Sequence, residues 1–361
     1  MPMTAYRSVF LLSLALSLLA WGCDGPPPQQ QQGDPVEGPT LMPQPAGLAR
    51  LFDQPEQTCT LELQQEAGEN PLTLLLELRE QQIVGRWSNG PEQGGSLQGL
   101  RRPDRAWQIR LEGLEQDLRL QPRPDGRFEG TLIRNGDSEP LTLVPLRQTW
   151  PVSPAVAPSG ELTVAFAQAQ HGDSAGRCQL TEHYAQLQGL APTLTQNWDG
   201  ELRSVSLAQL GDFMTRCAEP QAQARQAPLR HEARFHLSGV FNDLLSYTCV
   251  YHRLGEDSLH YQAQLIDLAT ARPLGPQDYF RREAMSTLAQ RVEARLVRAY
   301  GTDWGLQMER IPQTWQFEAY PSEMVVFFNA YALGRFQVRR IEVAFTYEEL
   351  EDLLRKDGPL H

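Results

Sequence analysis

The stretch HGDSAGRCQ at residues 171–179 contains a match to G-x-S-x-G, the turn that presents a nucleophilic serine in many hydrolases. In that chemistry Ser174 would attack the substrate, with an acid and a histidine later in the chain. A nucleophile elbow needs a helix directly after the serine, whereas RCQLTEHY alternates in the manner of a strand. Gly, Asp and Ser between two strands are typical of a hairpin turn. The sequence therefore favours a turn, and no catalytic residue is predicted.

Histidines offer a second possible chemistry, metal binding. His231 begins a sequence similar to H-E-x-x-H, but Phe235 occupies the position of the second ligand and His236 comes one residue late. The segment also alternates like a strand, whereas that zinc motif needs a helix. His252 and His260 face each other across a predicted hairpin, and a metal site there would need a third ligand that the sequence does not supply. We therefore predict exposed hairpin histidines, no metal and no other cofactor.

The N-terminus predicts export. Arg7 precedes an apolar run at residues 9–22, which has the length of a signal-peptide core and is too short to span a membrane. The run ends in AWGC, which resembles a bacterial lipobox, so residues 1–22 would be removed and Cys23 would carry lipid. The alternative is ordinary secretory cleavage that leaves Cys23 free. With lipid, the chain would be anchored to a bacterial membrane on its extracytoplasmic side, facing the periplasm or at the cell surface.

The number of cysteines agrees with this expectation. The chain has five, and lipid on Cys23 would leave four for two disulfides in an oxidising compartment. Four cysteines allow three connectivities, and the sequence does not choose among them. Our working prediction pairs Cys178 with Cys217, which would join the first strand pair of the second domain to the end of a helix. Cys59 would then pair with Cys249.

Composition bounds the class of protein. The chain has 361 residues, is 41% hydrophobic and carries a formal net charge of −12. It is long enough for two domains, and its acidic balance argues against a nucleic-acid partner. Residues 23–50 are rich in Pro, Gln and Gly, which predicts an extended tether.

The elements that would position any site fall into two predicted domains. Residues 51–148 contain short alternating runs separated by turn signals such as Ser88-Asn89-Gly90, which predicts a small all-β barrel or sandwich. Residues 149–160, with PVSPAVAPSG, are predicted to be a linker. Residues 161–361 mix strand and helix patterns, which predicts an α+β domain with an antiparallel sheet.

Three stretches of the second half resemble the paired domains of unknown function found in anti-sigma-V factors and beside peptidoglycan deacetylase domains. They are HYAQLQGLAPTLTQNWDGEL, YQAQLIDLATARPLGPQDYF and MVVFFNAYALGRFQVRRIEVAFTYEEL. The positions that match are Tyr184, Asn197, Asp267, Thr270, Leu274, Asp278, Phe280, Phe328, Tyr331, Leu333, Gly334 and Phe336. Arg335 and Arg339 depart from the family pattern, where proline and glycine stand. The match covers about half of the chain.

This resemblance implies a fold and an extracytoplasmic setting. In the anti-sigma factors the module binds lysozyme, and in the deacetylases it accompanies an enzyme. We expect a non-catalytic envelope lipoprotein that binds a protein or a cell-wall glycan through its C-terminal module, with Tyr331, Arg335, Phe336 and Arg339 as the binding residues. Arg335, Arg339 and Arg340 would form a basic cluster, which would not favour a basic partner such as lysozyme. The alternative is a hydrolase of envelope polymers with an unidentified active site.

Overall fold

The fold is taken from a computed structural model, which describes residues 59–66, 70–79, 81–90, 93–102, 106–114, 116–123, 127–134, 136–173, 178–195, 201–202, 207–218, 229–252, 259–301, 306–334, 337 and 339–360. Residues 1–58, with Cys23 and the predicted signal peptide and tether, lie outside the described residues, and so do Ser174, Arg335 and Phe336.

The first eight strands form a closed barrel. They are β1 (Cys59–Gln65), β2 (Leu72–Arg79), β3 (Gln82–Asn89), β4 (Gln93–Arg101), β5 (Trp107–Leu111), β6 (Gln116–Pro122), β7 (Phe128–Arg134) and β8 (Asp137–Pro151). Each strand pairs antiparallel with the next, and β1 also pairs antiparallel with β8. The expected all-β region is therefore a barrel, because the β1–β8 ladder removes both sheet edges.

Alternation of apolar residues builds the interior of this barrel. In β2, Leu74, Leu76 and Leu78 are fully buried, while the residues between them are more exposed. A Cβ atom at Gly85 in β3 would lie 1.9 Å from the carbonyl oxygen of Leu75, so this position requires glycine for close backbone approach. The side chains fill the barrel as a packed hydrophobic core.

Strand β8 leads out of the barrel without a break. Its first half pairs with β7 and its residues 147–151 pair with 161–165 of the next strand, while β1 occupies its other edge. Val156 and Ala157 are fully buried, and the N–H of Ala191 donates to the carbonyl of Val156 (2.8 Å). Residues 149–160 are thus a packed corner within one compact unit, Gln44–His361.

The sheet continues through seven more strands. They are β9 (Glu161–Gly172), β10 (Cys178–Gln188), β11 (Glu201–Leu202), β12 (Leu229–Phe241), β13 (Leu244–His252), β14 (Leu259–Asp267) and β15 (Arg272–Leu274). Strand β10 begins at Cys178 and pairs back with β9, with Gly172 opposite Gln179, so the described residues after Ser174 form a strand where a nucleophile elbow would need a helix. Strands β10 and β12 pair in parallel, which departs from the predicted antiparallel sheet.

A parallel pair needs a crossover, and helices α1 (Pro192–Thr195) and α2 (Leu207–Ala218) lie in it. The sequence predicts one helical face from Leu194 to Cys217, but β11 at Glu201–Leu202 interrupts it and pairs with β10.

A second sheet and the remaining helices complete the fold. The strands are β16 (Gln316–Ala319), β17 (Glu323–Phe328) and β18 (Ile341–Thr346), and the helices are α3 (Pro276–Tyr279), α4 (Ala284–Tyr300), α5 (Ile311–Thr314) and α6 (Tyr347–Leu350), with a 3-10 turn at Met308–Arg310. Helix α4 buries Leu288, Val292 and Leu296 in one core with this sheet. Thr346 and Glu349 have the spacing that predicts a capping box, and the structure forms it, since the Thr346 hydroxyl accepts from the N–H of Glu349 (3.2 Å).

The described chain is therefore mostly antiparallel sheet, with an eight-stranded barrel and a few helices. Among the described residues, no helix is both long enough and apolar enough to cross a membrane.

Candidate functional site

The predicted binding residues lie in the connection between β17 and β18, residues 329–340, which we call the Tyr331 loop. Asn329 ties its start to the first sheet. The side-chain Oδ1 of Asn329 accepts from the N–H of Tyr261 in β14 (2.7 Å), and its Nδ2 donates to the carbonyl of the same residue (2.9 Å). The Asn329 carboxamide makes the same two hydrogen bonds to Tyr261 that the backbone of a paired strand would make. It therefore joins the two sheets at the base of the loop.

Gln337 holds the loop together from inside. Its side chain is 2% exposed, accepts from the N–H of Leu333 (2.7 Å), and donates to the carbonyls of Asn329 (2.9 Å) and Arg339 (3.1 Å). Its backbone carbonyl accepts from the N–H of Tyr331 (2.6 Å). A buried carboxamide with several partners rigidifies what surrounds it, so the described part of the loop, residues 329–334, 337, 339 and 340, is preorganised.

Tyr331 is the exposed residue that this scaffold presents. Its φ is 63°, in the left-handed region, which costs a residue with a side chain about 1–2 kcal/mol. It is 46% exposed and is the one aromatic side chain among the exposed large hydrophobic residues that the structure describes. Strained backbone that holds an exposed aromatic ring is typical of a binding position.

Beneath the loop lies a buried charge cluster that joins the two sheets. Arg340 donates to Oε2 of Glu318 (2.7 Å) and forms an ion pair with Glu342 (2.8 Å). Glu318 also accepts from the hydroxyls of Thr248 in β13 (2.5 Å) and Tyr320 (2.9 Å). Every oxygen of the Glu318 carboxylate is therefore hydrogen bonded, as a buried charge requires.

The protonation states follow from these contacts. Burial alone would raise the pKa of the Glu318 carboxyl, but the Arg340 guanidinium and the two hydroxyls hold it below its ordinary value. Burial alone would lower the pKa of Arg340, but Glu318 and Glu342 raise it. The Arg340 guanidinium also lies 3.8 Å from the ring centroid of Phe327 and 4.6 Å from that of Tyr261.

The predicted basic cluster of arginines is therefore wrong with respect to Arg340. That side chain is 7% exposed and neutralised by two carboxylates, because aromatic rings and Glu318 offer it partners beneath the loop. Arg339 is exposed at the surface. Arg335 and Phe336 lie outside the described residues, so their positions stay a prediction.

The cysteines confirm one of the two predicted disulfides. Cys178 and Cys217 are joined, with their Cα atoms 5.9 Å apart, and the bond holds α2 against the sheet. The predicted Cys59–Cys249 bond is not formed, because the structure leaves both residues as buried thiols, Cys59 in β1 and Cys249 in β13. Burial raises the pKa of each thiol to about 12, so neither has the character of a nucleophile.

Two histidine–glutamate pairs were missed by the sequence. His171 lies 3.0 Å from the buried carboxylate of Glu182, and His183 lies 2.9 Å from Glu232, which Arg234 also contacts. The hydrogen bond from His183, opposed by burial and helped by Arg234, lowers the pKa of Glu232 to about 2. The residues of the second pair are 49 positions apart and meet only through the parallel pairing of β10 and β12, so no local spacing signals them.

The remaining histidine predictions have these outcomes. His231, Phe235 and His236 lie on strand β12, which agrees with the argument against a helical zinc motif. The prediction that His252 and His260 face each other is wrong, because the register pairs His260 with Tyr251 and His252 with Leu259. The described residues contain no group of three or more His, Cys, Asp or Glu arranged to hold a metal ion.

A polar cleft of about 350 Å³ contains some of the residues that match the family pattern. Asp278 pairs with Arg272 (2.9 Å) and caps the N–H of Gly275 (2.7 Å), while Arg355 pairs with Asp357 (2.8 Å). The charges within each of these two ion pairs neutralise each other, and the remaining carboxylate, Asp267, accepts from the N–H groups of Ala269 (2.9 Å) and Thr270 (3.2 Å), so each charge in the lining already has a partner.

Comparison with known proteins adds a fold likeness. No protein-family profile matches the chain, and no curated protein matches it. Its neighbours among solved structures are bacterial proteins of the DUF3298 family, a family of unknown function. One from Bacteroides fragilis has a TM-score of 0.43 and 17% identity over 54% of this chain and 94% of its own. Another, from Pseudomonas aeruginosa, has a TM-score of 0.37 and 12% identity over 54% and 94%. No functional inference rests on likenesses of this size.

Proposed function

We propose that this chain is a non-catalytic lipoprotein of the bacterial cell envelope, which binds a protein or a cell-wall glycan through the Tyr331 loop. The observation that carries the proposal is Tyr331 itself, an aromatic side chain that is 46% exposed on a backbone held at a φ of 63° by the buried Gln337. A preorganised loop loses little conformational entropy on binding, and an exposed tyrosine supplies contact area with a polar end. No cofactor takes part.

The charge distribution supports a basic protein as the ligand. The net charge of the chain is −12, which favours the approach of a positively charged partner. Since Glu318 and Glu342 neutralise Arg340, that side chain adds no positive charge at the loop surface. The resemblance to the anti-sigma-V module, which binds lysozyme, points to the same class of ligand.

The envelope location rests on separate features. The apolar run at residues 9–22 and the lipobox-like AWGC ending at Cys23 support export and lipidation. The Cys178–Cys217 disulfide agrees with an oxidising compartment. Mass analysis of the mature N-terminus tests this part, and an unmodified Cys23 would rule out the lipid anchor.

The binding proposal is tested with the purified chain, lysozyme and insoluble peptidoglycan. Tyr331→Gly removes the ring and tolerates the left-handed backbone. We expect it to weaken binding at least tenfold, because central aromatic side chains dominate interfaces. Leu100→Ala is the matched control, since Leu100 is 49% exposed on barrel strand β4 and should leave binding unchanged.

Each outcome decides the proposal. Binding of lysozyme alone identifies a protein ligand, and binding of peptidoglycan alone identifies a glycan ligand. Binding of neither, or equal binding by the wild type and Tyr331→Gly, contradicts the proposal. Turnover of an envelope polymer by the purified chain would support the alternative, a hydrolase.

A further inference from the structure

A cavity of about 260 Å³ opens at one mouth of the barrel, where β1, β3 and β7 end and β2, β6 and β8 begin. Its wall combines aliphatic side chains with carboxamides, among them Leu72, Leu132, Leu141, Gln65, Asn89 and Gln116. Small eight-stranded barrels have room for side chains or for one small ligand. A wall that mixes apolar surface with a few polar groups is the usual composition of a small-molecule site.

The carboxamides occupy core-facing positions of their strands. In β1 the fully buried Leu63 is followed two residues later by Gln65, on the same face. In β6 the fully buried Leu118 is preceded two residues earlier by Gln116, and β3 ends inward at Asn89. Leucine in β1 and β6, and Trp87 in β3, thus give way to a carboxamide at the same end of the barrel, so the polar groups converge.

These polar groups are largely buried. Gln116 is only 5% exposed, and Gln65 and Asn89 are partly buried. The Oδ1 atom of Asn89 is buried and has no hydrogen-bond partner among the described residues. Native proteins pair the great majority of their buried polar atoms, so this atom in the cavity wall points to a ligand that pairs it.

Their hydrogen-bonding capacity indicates the chemistry of that ligand. Gln65 accepts through Oε1 from the N–H of Leu72 (3.2 Å), which leaves its Nε2 group to donate, while Asn89 offers an acceptor. A donor and an acceptor together complement an amide group, which has one carbonyl and one N–H. The described lining contains no Arg, Lys or His, and its charged residue, Glu139, is exposed, so an anion would find no counter-charge.

We propose that the barrel mouth binds a small uncharged molecule that carries an amide group and an aliphatic portion. An apolar cavity of about 150 Å³ holds benzene, so this one accommodates roughly ten non-hydrogen atoms. An N-acylated amino sugar and a short peptide segment both supply this chemistry, with the acylamino group inside the cavity and the remainder of the molecule at its open mouth. The site is separate from the Tyr331 loop, and Tyr331→Gly should leave its affinity unchanged.

The test titrates the purified chain with N-acetyl-L-leucinamide and with N-acetylglucosamine, followed by calorimetry and ligand-observed NMR. We expect at least one probe to bind the purified chain with saturation. Gln116→Leu should lower the affinity for that probe at least tenfold. Gln121→Leu is the matched control, because Gln121 lies on the same strand, is exposed on the outer face and should leave affinity unchanged. Asn89→Leu is a second variant in the same wall, in case Gln116→Leu does not fold.

Saturation by the leucinamide alone indicates a peptide source, and saturation by the amino sugar alone indicates a glycan source. Saturation by neither probe overturns the proposal. Unchanged affinity in whichever folded wall variant is measured, Gln116→Leu or Asn89→Leu, overturns it as well, because binding would then lie elsewhere.

Discussion

Replacement of Arg340 by methionine is expected to lower the free energy of unfolding at pH 7 by about 3–5 kcal/mol, the usual cost of removing one partner of a buried ion pair. The variant leaves the carboxylate of Glu318, which is 1% exposed, with only the hydroxyls of Thr248 and Tyr320 as partners. Methionine fills part of the volume of arginine, so the loss comes mainly from the stranded charge and from the cation–π contacts.

A second variant, Glu318→Gln, separates the energy of the ion pair from the energy of side-chain packing. Glu318→Gln should cost less than Arg340→Met, because Arg340 retains its ion pair with Glu342. The double variant should cost less than the sum of the two single variants, by about 0.5–3 kcal/mol, because the two residues are in direct contact.

The assay is urea unfolding followed by circular dichroism at pH 7 and at pH 4. The pKa of Glu318 is lower in the folded chain than in the unfolded chain. Its contribution to the free energy of unfolding is therefore complete above the unfolded pKa and is lost as the pH falls through the folded pKa. The cost of Arg340→Met should therefore be greater at pH 7 than at acid pH. A cost below about 1 kcal/mol at pH 7, or additive single variants, would refute the argument that this buried ion pair stabilises the fold.

Three further predictions concern the disulfide, the thiols and Glu232. Removal of the Cys178–Cys217 bond, which spans 39 residues, should lower the free energy of unfolding by up to about 4 kcal/mol, measured as a shift in the urea midpoint of Cys217→Ser. Cys59 and Cys249 should resist iodoacetamide at pH 8 in the native chain and react after unfolding, because both are buried with a pKa of about 12. Glu232→Gln should cost about 1 kcal/mol at pH 7, since its side chain is 39% exposed and water screens the pair. That cost should disappear as the pH falls towards 2, because its lowered pKa stabilises the fold only while the carboxyl is ionised.

Each of these has a clear contrary result. Equal urea midpoints for the wild type and Cys217→Ser would contradict the first prediction. Rapid alkylation of both thiols under native conditions would contradict the second. For Glu232, an acid-unfolding curve of the variant that stays separated from that of the wild type down to pH 2 would show that the His183 contact is not the cause.

The local patterns predicted strands better than they predicted which strands meet. Alternation and turn residues indicate each barrel strand, but closure depends on β1 meeting β8, far away in the sequence. Likewise, parallel pairing of β10 and β12 brings His183 to Glu232 without any local signal. The Pro-rich composition of residues 151–160 suggests a linker, although Val156 is fully buried in a corner of the fold.

Some residues of the candidate sites also have a local sequence signal, and others do not. Tyr331 was found because its loop matches a family pattern, whereas the inward turn of Arg340 depends on Glu318, which lies in another strand. The carboxamides of the barrel mouth did have a signal, since Gln65 and Gln116 continue the inward alternation of leucines. That signal predicts a shared site only when the structure shows that the ends of these strands lie together.

The path of β8 has a practical consequence for anyone who wishes to divide this chain. A C-terminal piece that began after Pro151 would leave residues 161–165 of β9 without their ladder partners, as a bare edge strand. Bare edges recruit other chains, so such a piece should aggregate. In a barrel piece that ended at residue 148, Arg147 and Gln148 would lose their pairing with strand β9. Dissection should therefore keep Gln44–His361 intact and rely on point variants to assign roles to its parts.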